Sequence, residues 1–98
     1  MNFKTLLLEQ QRLGVLQILS EAKGYDLNSA ILQGSLKGLG LSISRDQLHT
    51  QLSWLEEQDL IECNPLPGLI VARLTLRGMD VAKGLAVVPG VAQPEPGV

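Results

Sequence analysis

Aromatic side chains are nearly missing from this chain: Phe3, Tyr25 and Trp54 make up 3% of 98 residues. Any core must therefore be aliphatic, assembled from Leu, Ile, Val and Ala. Cysteine occurs once, at Cys63, which rules out an intramolecular disulfide and any cysteine-rich metal cluster. A lone thiol of this kind is expected to act as a small buried hydrophobe in a strand. Charge is scarce as well. Charged residues are 18%, with 8 Lys and Arg against 10 Asp and Glu, a net charge of −2 and a pI near 5.2. Sequence-independent nucleic-acid binding rests on neutralising phosphates, so this balance argues against it while leaving room for a few clustered cations. No apolar run approaches the ~20 residues of a membrane span. The opening MNFKTLLLEQQRLGVL is broken by Glu9, Gln10, Gln11 and Arg12, which the core of a signal peptide does not tolerate. The expectation is a soluble cytoplasmic protein without a membrane partner.

What is present is periodic. Hydrophobic residues are 45%, a globular composition sufficient for one domain with a single small core. Residues 2 to 22 predict a helix with Leu8, Val15, Ile18, Leu19 and Ala22 on one face. A second stripe, Phe3, Leu6, Gln10, Leu13 and Gln17, follows a three-four alternation on another side. Lys23-Gly24-Tyr25-Asp26 ends the helix, Gly24 being a natural left-handed stop. Leu27 reads as a minimal strand. Asn28 caps a second helix with Ile31, Leu32, Leu36 and Leu39 inward, closed by Gly38 and Gly40.

Ser44 caps a third helix, and Gln47 completes a capping box. Leu48, Leu52 and Leu55 form its buried stripe. Opposite lie Asp46, Gln47, Thr50, Ser53, Trp54 and Glu57, with Arg45 and His49 at the flank. Residues 60–63 predict a strand, 64–68 a turn, and 69–74 a returning strand. Thr75 caps a last helix, LRGMDVAKGL, with Met79, Ala82 and Leu85 inward. The predicted domain is 1–87, and 88–98 is expected to be a loose Pro/Gly-rich tail. Helix, short strand, helix, turn, helix, hairpin, helix is the order of a winged helix-turn-helix: mainly α with a small β-hairpin.

"GYDLNSAILQGSLKGLGLSISRDQLHTQLSWLEEQDLI" followed by "LTLRGMDVAKGLAVVPGV" resembles a family of small winged-helix proteins encoded in Mu-like phages and prophages. The resemblance spans about residues 13 to 91 and implies a phage origin and a winged-helix fold; it lends no activity. The chain departs from the pattern at Asp59, where Gly is usual, and at Ala92-Gln93, where basic residues usually follow VPGV.

On this fold the first turns of the third helix meet base edges. Ser44, Arg45, Gln47, His49 and Thr50 are then candidate DNA contacts, Arg matching guanine and Gln adenine. Lys37, Arg73 and Arg77 are candidate phosphate contacts. The wing tip is unusual, because no cation lies between Arg45 and Arg73. Trp54, Leu66 and Leu69 offer an alternative patch for a protein partner. Phe3, Leu6 and Leu13 are candidates for a homodimer face. The single His49, the scattered carboxylates and serines spent on caps support no enzyme, metal or cofactor. Two readings remain open: a DNA-binding regulator of phage origin, and a non-catalytic adaptor in phage development or DNA packaging, with a phage or host protein partner.

Overall fold

A computed structural model describes residues 2–96. Helix α1 (Phe3–Glu21) starts at Asn2, whose side-chain oxygen accepts from the Thr5 amide at 2.9 Å. A 3₁₀ turn (Lys23–Tyr25) leads to strand β1 (Asp26–Asn28), then to α2 (Ser29–Gly38) and α3 (Arg45–Glu57). Strands β2 (Ile61–Leu66) and β3 (Leu69–Leu74) form a hairpin, and α4 (Leu76–Ala82) follows. The sheet is antiparallel in the order β1-β3-β2, with Arg73 paired to Asp26 on one side and Glu62 on the other. This is a winged helix-turn-helix, and the caps read from sequence hold it: Asn28, Ser44 and Thr75 each accept from the amide three residues on.

Helix α1 runs through the middle, packed on α2, β3 and α4. Its second half is enclosed on most sides, and Leu13, Val15, Leu16 and Leu19 are all buried. Leu13 therefore belongs to the protein's own core and not to a face for a second copy. Phe3 and Leu6, in the first turns, are 76% and 46% exposed. The expected stripe thus divides at the point where α1 enters the core.

Four further expectations are corrected. In α2 only Leu32 and Leu36 point inward, whereas Ile31 and Leu39 are exposed; ten residues present one narrow i, i+4 stripe, and Leu39 lies past the last turn. The hairpin turn is shorter than residues 64–68, because β2 continues to Leu66. Pro67-Gly68 alone makes the turn, with Gly68 at φ 75, the Pro-then-Gly chemistry of a type II turn. Pro65 is tolerated since β2 is an edge strand, where a missing N–H costs no ladder bond. Helix α4 stops at Ala82, so Val81 is buried and Leu85 is exposed. Finally, the segment after residue 87 is not loose: Val88 and Val91 are 3% and 7% exposed and join the core. Residues 97 and 98 of the expected tail, and Met1 of the expected domain, lie outside the described residues.

Two close approaches fix the packing. A Cβ at Gly78 would collide with the Leu60 carbonyl oxygen, so α4 lies directly on the start of β2. Asp59 takes φ 61 where the chain leaves α3, and its carbonyl accepts from the Thr75 hydroxyl at 2.7 Å. An aspartate tolerates this left-handed position better than most residues, though glycine does so at lower cost.

Candidate nucleic-acid interface

The buried stripe of α3, Leu48, Leu52 and Leu55, divides its surface into a ridge and two flanks. The ridge opposite the stripe carries Asp46, Thr50, Ser53 and Glu57 at i, i+4, i+7 and i+11, all exposed. Gln47 is exposed beside it. The Ser44 hydroxyl accepts from the Gln47 amide at 3.1 Å and opens the helix. Thr50 donates its hydroxyl to the Asp46 carbonyl at 3.2 Å.

The first flank faces the wing. Arg45 Nη2 donates to the Gly68 carbonyl at 2.9 Å, joining the first turn of α3 to the hairpin turn. His49 turns inward toward Leu69, Gln33 and Ser29 around a cavity of about 40 Å³. Its Nε2 is buried and has no hydrogen-bond partner among the described residues. His49 thus lies under the wing and not out on the ridge. Lower down, Glu56 Oε2 accepts from the Cys63 amide at 2.7 Å. Burial, with Glu56 alongside, pushes the Cys63 thiol up to about 11.

The second flank faces α1. Trp54 is half-buried there, with the Arg12 guanidinium 3.9 Å from its ring centroid. Arg12 also donates to Gln51 Oε1 at 2.7 Å and to the Gly90 carbonyl at 2.9 Å. Gly90 has φ 98, and a Cβ there would come within 2.8 Å of Trp54. Burial lowers the Arg12 pKa, and Glu9 acts against that shift. The Ala92 amide donates to the Glu9 carbonyl at 3.2 Å, so residues 88–92 cross α1 and α3 as a strap. Trp54 is consequently committed to this strap, on the flank opposite the wing. It forms no shared patch with Leu66, which is 47% exposed, or with half-buried Leu69.

The cations do not form one band. Exposed Lys37 shares a depression with Gln33, Ser42 and Ile43, and Gln33 also lines the cavity beside Arg45. Lys37, Gln33 and Arg45 therefore follow one edge from α2 to the wing. Arg73 stands on the outer face of the sheet between Asp26 and Glu62. Arg77 Nε donates to the Gln58 carbonyl at 3.0 Å, at the far end of α3. The sequence reading missed Arg12. Its signal was a cation placed where a helix turns apolar on all sides, since such a charge needs partners. Among the described residues, no group of three His, Cys, Asp or Glu is arranged to hold a metal, and no helix is long and apolar enough to cross a membrane.

No family model matches the sequence. The chain is 42% identical over 91 residues to the uncharacterized protein gp26 of Escherichia phage Mu, covering 93% of this chain and 94% of that protein. It is 50% identical over 78 residues to an uncharacterized protein of Haemophilus influenzae Rd, covering 79% and 76% respectively. Among solved structures, that of the hsRosR-S4 complex matches with a TM-score of 0.61 at 18% identity, covering 81% of this chain and 76% of that one. This last likeness is one of fold. With the two sequence relatives it places the winged helix in a phage context: the chain belongs to the family of small Mu-like phage proteins that includes gp26.

Proposed function

We propose that this protein binds double-stranded DNA as a non-catalytic regulator in the cytoplasm of a phage-bearing bacterium. The observation that carries this reading is the presentation of α3. Its ridge is exposed along its whole length, while Arg45 fastens its first turn to the wing, so helix and hairpin approach a duplex as one rigid edge. Gln47, Thr50 and Ser53 face base edges, and Lys37 and Arg45 meet phosphate along the one edge they share. Arg73 and Arg77 contribute little, one set between carboxylates on the sheet and the other held at the far end of α3, away from its first turn. With so few cations a monomer binds weakly. Pairing of two copies through Phe3 and Leu6, exposed at the start of α1, doubles the phosphate contacts.

A second reading, the adaptor, draws on the wing itself. Leu66 is exposed between Pro65 and Pro67 at a wing tip whose own residues 64–68 include no cation, which suits a protein surface better than phosphate. Fluorescence anisotropy with random-sequence and phage-derived duplexes at 50 mM and 200 mM salt separates the two. DNA binding predicts measurable affinity at low salt, a steep fall at high salt, and a slope reduced by ~1 in Lys37→Ala. No rise in anisotropy with either duplex at 50 mM salt overturns it and leaves the adaptor.

A further inference from the structure

The ridge of α3 is the part of the helix that enters deepest into a groove, and its two ends are carboxylates. We infer that Asp46 is a specificity-determining residue that takes a hydrogen bond from cytosine, and that Glu57 suppresses binding to unselected DNA. The inference rests on the DNA reading above and says how that same surface discriminates.

Asp46 is exposed in the first turn of α3, one rung before Thr50 on the same ridge. N-capping is performed by the Ser44 hydroxyl on the Gln47 amide, so the Asp46 carboxylate is not consumed by that task. An ionised carboxylate only accepts, and among major-groove edges that requirement is selective. Guanine offers the acceptors O6 and N7, and thymine offers O4 and a methyl group. Adenine offers an N6 donor but sets N7, an acceptor, beside it. Cytosine alone presents a donor, N4, with no acceptor adjoining it on the same base. Glu57 lies eleven residues further along the ridge, roughly 16 Å at 1.5 Å per residue. That distance carries it toward the backbone, where its charge repels phosphate on every sequence alike. The protein therefore gains little from indiscriminate contact and depends on the correct base, which agrees with a net charge of −2.

The test uses the full chain and a pool of duplexes with a randomised core, incubated at 50 mM salt, the bound fraction being sequenced. Wild type is expected to enrich cytosine about tenfold at one position, within the range of a good base contact. Asp46→Asn supplies a donor beside an acceptor, the pattern that matches adenine, so enrichment at that position should move from cytosine to adenine. A loss of helix stability alone cannot produce that move. Asp46→Ala covers the case in which Asn weakens the first turn: cytosine preference should vanish while binding persists. Glu57→Gln should keep the base preference and raise affinity for unselected duplex several-fold. An identical preference in wild type, Asp46→Asn and Asp46→Ala overturns the inference while leaving DNA binding intact. Failure of wild type and Glu57→Gln alike to retain any duplex overturns the DNA reading, and this inference with it.

Discussion

Arg12 holds three things at once: the ring of Trp54, the amide of Gln51 and the carbonyl of Gly90. Nothing local announces this role, because Gly90 is 78 residues away and its carbonyl has no sequence signature. The leucines of α3, by contrast, were legible from spacing alone, and Leu52 is fully buried. Leu52→Ala should cost ~2–5 kcal/mol in chemical denaturation; an unchanged midpoint would contradict its place in the core. Gly90→Ala meets both a left-handed φ and the Trp54 ring, and a loss of roughly 1–3 kcal/mol is expected. Its second readout is a red shift of Trp54 emission as the strap lifts. Cys63 supplies a pH test. Its folded pKa of about 11 lies above the ordinary 9.0, so the native state favours the thiol. This stabilising contribution is complete below pH 9.0 and is lost as pH rises toward about 11. At pH 8 the folded thiol should react with a disulfide reagent roughly ten- to a hundredfold more slowly than in the unfolded chain.

Element boundaries were readable wherever a short-range rule sets them. Asn28, Ser44 and Thr75 each satisfy an amide three residues on, which is why three helix starts could be placed from sequence. Ser44→Ala should cost about 1 kcal/mol and, by fraying the first turn of α3, weaken the proposed DNA binding as measured by anisotropy. The errors came where tertiary contacts decide. Residues 64–66 look like turn material, yet pairing with β3 carries the strand through them. The edge of β2 is also guarded: Glu56 occupies the Cys63 amide, and Pro65 has none to offer, so the wing resists pairing with another sheet. In the candidate site, the polarity of the α3 ridge was legible from its period. The inward turn of His49 and the fastening of Arg45 to Gly68 were not, because both depend on where the hairpin lands.

For the molecule as a whole, acidic residues outnumber basic ones, and the few cations are dispersed over different faces. Sedimentation of wild type against Phe3→Glu/Leu6→Glu tests the proposed pairing: a dimer at micromolar concentration should dissociate in the variant without loss of its helical circular dichroism. A monomeric wild type sinks that pairing. The strap adds a constraint in time. The contact between Arg12 and Gly90 spans 78 residues, and at ~5–20 residues per second a ribosome needs roughly 4–16 s to make the intervening chain. Once α3 has been made, and until residues 88–91 follow, the helices already synthesised carry an open apolar slot where Val88 and Val91 belong, with Trp54 at its edge. Completion of the core thus waits on translation of residues 88–91, and a ribosome stalled before residue 88 would hold a nascent chain suited to capture by chaperones.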